Sequence, residues 1–213
     1  MSITKYFDYR GKVLGEDELS NCPDYHKAEI NSKGLFELIE TFEKNELVYV
    51  NPFIELEKDA DVFLEKYPQL EYIDFCLLLE NKGNYAKYLN FTINKHKLKD
   101  KIGIQVYDNG ILPIFVNNGV NSEPKNKYLF KYFYYSEINV EFEFEYEPSG
   151  AFKRLSIYDV NMIVDSNQHS IDPDMVGIGK NDYDFNWEGM EYYKNAEPIL
   201  PDDDITTHNN AYC

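Results

Sequence analysis

The chain has 213 residues, a formal net charge of −17 and 16% aromatic residues, 19 of them Tyr and 14 Phe. That length allows one large domain or two small ones and a sizeable core, and the aromatic content excludes a disordered acidic chain. An acidic balance of this size repels nucleic acid and anionic membranes and attracts basic proteins.

The charge is unevenly spread. Residues 1–135 carry 17 Lys/Arg and 21 Asp/Glu, net −4, whereas 136–213 carry 4 and 17, net −13. The N-terminus, Met-Ser-Ile-Thr-Lys-Tyr, lacks the apolar core of a signal peptide, and no 18-residue apolar run exists to span a membrane. Three cysteines, Cys22, Cys76 and Cys213, form no CxxC pair. Their odd number fits a reducing cytoplasm better than a disulfide framework, and Cys76 in Ile73–Leu79 reads as a buried thiol.

In chain order, Tyr6–Leu14 predicts a small hairpin. Residues 33–44 predict an amphipathic helix: Leu35, Leu38, Ile39 and Phe42 recur at i, i+3, i+4, i+7, with Asn31 or Ser32 before it and Asn45 after. Leu47–Leu56 predicts a strand, placed at an edge or bent because of Pro52. Asp59–Tyr67 predicts a short helix stopped by Pro68. Tyr72–Leu79 and Tyr88–Asn94 predict a strand pair. So do Ile102–Tyr107 and Ile111–Val116, across Asp108-Asn109-Gly110. Lys95–Lys101, the one basic run, reads as a hairpin tip; it could also bind an anion or meet the acidic face of a second copy. Asn117–Lys127 is a polar loop, and Tyr128–Tyr135 fits a helix or a strand. The expected fold is α+β: a single domain, 1–213, with a largely antiparallel sheet and one or two helices near the N-terminus.

Residues 138–147 alternate apolar and acidic side chains, which predicts a half-buried strand. Ile138, Val140, Phe142, Phe144 and Tyr146 share one face; Glu141, Glu143, Glu145 and Glu147 share the other. Pro148-Ser149-Gly150 turns the chain into Phe152–Val164, placing Lys153 or Arg154 opposite Glu143 or Glu145. Two cations cannot neutralise four carboxylates, so part of the row is left to solvent or to a positively charged partner. Evenly spaced exposed carboxylates are not the two differently buried acids that acid–base catalysis uses.

Asp182-Tyr183-Asp184-Phe185-Asn186 opens like a calcium loop, but Trp187 stands where Gly is required and Tyr193 where a bidentate Glu is. Asp182, Asp184, Glu188 and Glu191 beside Trp187 and Tyr192 read instead as an acidic interface with aromatic anchors. A short helix is expected near 187–194, and Asp172-Pro173-Asp174 is a turn. The four histidines are scattered, and no Gly-rich phosphate loop, GxSxG or HExxH occurs. No metal or cofactor is expected.

The run from Glu141 to Glu147, the segment Asp182–Tyr193 and the charge split resemble the immunity proteins of bacterial toxin systems in general character. That resemblance implies a cytoplasmic, non-enzymatic inhibitor of one basic toxin, such as a nuclease, with no direct binding of nucleic acid or membrane. Two alternatives stand beside it: a phage inhibitor that mimics nucleic acid, and a small-ligand binder or enzyme with a pocket over the sheet.

Overall fold

A computed structural model describes residues 2–8, 13–108, 112–118, 128–134, 140–158 and 169–202, with backbone alone at 112, 113, 118, 140 and 141. The α+β expectation is corrected: the chain is mostly β. The described residues form thirteen strands and one α-helix, α1 (Ala60–Lys66), with a few single 3-10 turns. They fall into two compact units, one running to Gly103 and the other built from Ile104–Asp108 and the chain after Leu112.

In the first unit β1 (Ile3–Phe7), β2 (Val13–Leu14), β3 (Tyr25–Ile30), β4 (Phe36–Glu43), β5 (Glu46–Ile54), β6 (Tyr72–Lys82) and β7 (Tyr85–Asn94) lie in the order β7-β6-β5-β4-β3-β1-β2. All neighbours are antiparallel except β5 and β6, which are parallel and joined through α1. The helix packs Phe63 and Leu64 onto Leu38, Val50, Ile54, Ile73, Phe75 and Phe91. It begins and ends as the sequence predicts, one residue inside Asp59 and before Pro68.

The helix predicted over 33–44 is instead strand β4. Glu40 conceals its period of two. It faces the core between Leu38 and Phe42, only 8% exposed, where an apolar residue is expected. Lys27 Nζ donates to it at 2.7 Å and the Tyr67 hydroxyl at 2.6 Å, so the buried carboxylate is satisfied. Ile39 packs in a second cluster with Ala28, Ile30 and Phe36, so the strand carries apolar side chains to both faces. Apolar residues on two faces of a strand imitate helical spacing. Asn45, which sequence reasoning places beyond a helix, serves a hairpin: Lys44 and Asn45 both have positive φ, 52° and 63°, between Glu43 and Glu46.

Pro52 does not mark an edge, because β5 lies between β4 and β6. Pairing to β6 is confined to Phe53 and Ile54. Before them side chains bridge the two strands: Asn51 Nδ2 donates to the Asp74 carbonyl at 2.6 Å and the Tyr49 hydroxyl to the Asp74 carboxylate at 2.7 Å. Thr92 Oγ1 also donates to that carboxylate. Cys76 beside this network is fully buried, and burial pushes its thiol up to about 12. We expect Cys76 to stay unmodified by iodoacetamide in the native chain while partly exposed Cys22 reacts. Peptide mass spectrometry after brief labelling checks this; prompt native labelling of Cys76 contradicts it.

β8 (Lys99–Asp108) begins in the first unit, where Lys99 Nζ lies 4.2 Å from the centre of the Phe91 ring. Residues 95–98 of the basic run form the turn between β7 and β8, as expected, with Lys97 at φ 60°, and Lys99–Lys101 open β8. Asn109 and Gly110 of the expected turn, and residues 119–127 of the expected polar loop, lie outside the described residues.

The second unit contains β9 (Leu112–Asn118), β10 (Tyr128–Tyr134), β11 (Val140–Tyr146), β12 (Phe152–Ile157) and β13 (His169–Ile171), each antiparallel to the next. Tyr128–Tyr134 is thus a strand. Residues 172–202 form an irregular segment laid across one face of this sheet.

Candidate functional site

β11 has the faces its alternation predicts. Phe144 and Tyr146 are buried and Phe142 half-buried on one side, with Glu143 and Glu145 on the other. The register sets Glu143 between Tyr132 and Ser156, and Glu145 between Phe130 and Arg154. The carboxylates therefore stand beside an aromatic row on β10. Tyr128, Phe130, Tyr132 and Tyr134 follow one another with ring centres 6.5, 6.2 and 6.4 Å apart.

Both hairpin cations reach the same carboxylate. Lys153 Nζ lies 2.5 Å and Arg154 2.7 Å from Glu145. Burial works to raise the Glu145 carboxyl, but the two cations outweigh it and hold it below the usual carboxylate value. Glu143 is half-buried with the Tyr158 hydroxyl 3.4 Å away, and burial raises its carboxyl. Glu147 lies beyond the strand and is exposed; the Glu141 side chain is outside the described residues. The row is thus one paired acid, one half-buried acid and one exposed acid.

The exposed charge lies instead on the segment 172–202. Its local folds are made by Asn181, whose Nδ2 donates to the carbonyls of Met175, Gly177 and Phe185 at 3.0, 3.3 and 3.1 Å. Its Oδ1 accepts from the N–H groups of Tyr183 and Phe185. Positive φ at Gly177, Gly179, Asp184 and Gly189 lets the chain double back between these turns. The helix expected near 187–194 is a single 3-10 turn, Glu191–Tyr193.

The segment turns its aromatic side chains to the sheet. The Tyr193 ring stacks on Phe144 with centres 4.5 Å apart. Trp187 packs against Phe152, Phe185 and Phe144 at 4.9, 5.2 and 6.1 Å. Tyr192 is 3% exposed and its hydroxyl donates to the Ile199 carbonyl at 2.8 Å. Trp187 and Tyr192 therefore hold the segment down rather than project from it. Its other anchor is Lys131 in β10, fully buried, whose Nζ donates to the carbonyls of Tyr192 at 2.5 Å and Asn195 at 3.0 Å and lies 3.6 Å from the Tyr192 ring centre. Burial lowers the Lys131 ammonium to about 7. Nothing in Tyr-Leu-Phe-Lys-Tyr-Phe-Tyr distinguishes it from a snorkelling lysine except apolar neighbours on both sides.

Outward the segment is acidic. Asp172, Asp174, Asp182, Asp184, Glu188, Glu191, Glu197 and Asp202 are all exposed, against Lys180 and Lys194. Between them Ile178 is 75% exposed, Tyr183 44% and Met175 38%. Asp184 is occupied in part by the Gly179 N–H at 2.7 Å. The structure thus brings Asp182, Asp184, Glu188 and Glu191 together on one exposed segment and separates them from Glu143 and Glu145, which lie on the opposite face of β11. Sequence reasoning missed Met175 and Ile178, whose signal was apolar residues within the glycine-rich stretch Met175–Gly179.

Among the described residues no group of three or more His, Cys, Asp and Glu side chains is arranged to hold a metal ion. No helix among them is long and apolar enough to cross a membrane. No family model matches the chain, and neither a curated protein nor a solved structure matches it.

Proposed function

We propose that the chain is a binding protein of the immunity type, which engages a basic partner protein in the cytoplasm through the segment 172–202. One observation carries this reading: eight exposed carboxylates share one segment, packed onto a sheet, with exposed Met175, Ile178 and Tyr183. Carboxylates on such a surface steer a cationic partner and set its register. The apolar side chains between them supply the desolvated contacts that carry affinity. The anchoring by Lys131, Trp187 and Tyr193 orders the segment beforehand, which lowers the entropic cost of binding. A basic toxin domain is the partner class this surface suits best.

Affinity capture from source cells, followed by calorimetry with the captured basic protein, tests the proposal. The triple variant Asp182→Asn, Glu188→Gln, Glu191→Gln alters no hydrogen bond that shapes the segment. It is expected to bind about tenfold or more weakly at low salt and to show a flatter salt dependence. Unchanged affinity in that variant, or capture of no basic protein, overturns the reading.

A further inference from the structure

Lys131 is the only buried Lys, Arg or His among the described residues. Residues 190–196 lie over it, and few polar bonds tie them to the sheet. Besides the two carbonyls that Lys131 bonds, the Tyr146 hydroxyl donates to the Tyr193 carbonyl at 2.9 Å and the Tyr193 hydroxyl to the Tyr132 carbonyl at 3.5 Å. The Ala196 N–H donates to the Gly150 carbonyl at 2.8 Å, and Ala151 and Asn195 form one isolated bridge. β10, which carries Lys131, is paired by contrast with a strand on each side.

The surroundings of the amine suit its neutral form. β9 sets Phe115 beside Lys131, and β11 sets Phe144 beside it and the Tyr146 ring within reach. The segment brings the Tyr192 ring, and next to it Tyr193, with Glu197 at longer range. These are the titratable groups around it, and among the described residues none is an acid within pairing distance. An ammonium taken out of water without a counter-charge is costly. A neutral amine has two N–H donors, and two carbonyls receive them. The Tyr192 ring offsets part of the cost of charge, yet burial still lowers the ammonium to about 7.

We infer that Lys131 is a pH-operated latch: its neutral amine holds residues 190–196 on the sheet, and uptake of one proton favours a state in which they lift and the ammonium reaches water. The relief is local because residues 190–196 lack the strand ladders that keep β10 in place. In the lifted state Lys131 has its ordinary value of 10.5, against about 7 when docked. Between these values the lifted state binds more protons, so lifting becomes about tenfold rarer with each unit that pH rises. Below about 7 the amine is charged in both states and the dependence ends. The latch acts on the segment that carries the exposed carboxylates, but it does not depend on what that segment binds.

Amide hydrogen exchange of the whole chain, followed by NMR at pH 7, 8 and 9, tests this. Intrinsic exchange quickens about tenfold per pH unit while lifting falls by the same factor, so the Tyr193 and Ala196 amides of the wild type should exchange at a nearly constant rate. Corrected for intrinsic rates, they should exchange about tenfold or more faster than the Phe144 and Leu155 amides, because the sheet stays closed when the segment lifts. In Lys131→Met the Tyr193 and Ala196 rates should instead climb about tenfold per pH unit. Lys131→Gln keeps a donor but has no proton to gain, and it decides the matter if Lys131→Met fails to fold. A tenfold climb per unit in the wild type, or a constant rate in the variant that folds, overturns the inference. So does exchange of Tyr193 and Ala196 no faster than that of Phe144 and Leu155.

Discussion

Replacing Phe144 with alanine is expected to lower stability by about 3–5 kcal/mol, the cost of emptying a large aromatic site in a closed core. The ring is fully buried at the centre of the second unit. It stacks on Tyr193 and touches Phe142, Phe185 and Trp187. Three of those four belong to the segment 172–202, so the cavity would fall where that segment meets the sheet. Urea unfolding followed by fluorescence measures the loss directly, because Trp187 is the chain's one tryptophan and lies against Phe144. Ile178→Ala, at a side chain 75% exposed, is the control and should stay within about 0.5 kcal/mol. A loss below about 1 kcal/mol for Phe144→Ala would mean that the segment is not held by this core.

Lys131 makes stability depend on pH in an unusual direction. Unfolded, it gains its proton near the ordinary lysine value of 10.5; folded, only near 7. Between these two the unfolded chain binds more protons, so stability rises as pH rises from about 7. One such group gives a slope of at most about 1.4 kcal/mol per pH unit. Below that window the charged ammonium is buried at full cost. Among the described residues no acid pairs with it: it faces two carbonyls, the Tyr146 and Tyr192 rings and, at longer range, Glu197. Burial raises the Tyr146 phenol well above its ordinary value, so that phenol stays neutral in the folded chain throughout this window. Lys131→Met removes the titrating group while retaining most of the packing. Urea midpoints at pH 7, 8 and 9 should climb in the wild type and climb less in the variant. Parallel climbs in both would show that Lys131 is not the cause.

The parts of the fold legible in the sequence are those that a local pattern marks. β11 alternates cleanly because its glutamates stand opposite a buried row. The β6–β7 pair was legible from two apolar runs and a Gly-containing turn, α1 from its Pro68 stop, and buried Cys76 from its apolar neighbours. β4 was misread because both of its faces pack and because Glu40 occupies a core position. A carboxylate there is tolerable only through Lys27 and Tyr67, which come from 13 and 27 residues away. No local pattern encodes a partner at that distance.

The candidate site divides in the same way. Composition by itself determined that the acidic excess lies in the last third, that β11 carries a row of glutamates, and that Asp182, Asp184, Glu188 and Glu191 stand among aromatics. Only the tertiary structure decided which carboxylates remain available. Glu145 is taken by both hairpin cations, Glu143 is half-buried beside Tyr158, and the outward side of 172–202 keeps its charge in water. It also turned Trp187 and Tyr192 inward and set Lys131 beneath them. The physical reason is that charge is written residue by residue in the chain. Desolvation and pairing depend instead on which distant side chains folding brings to within a few ångströms.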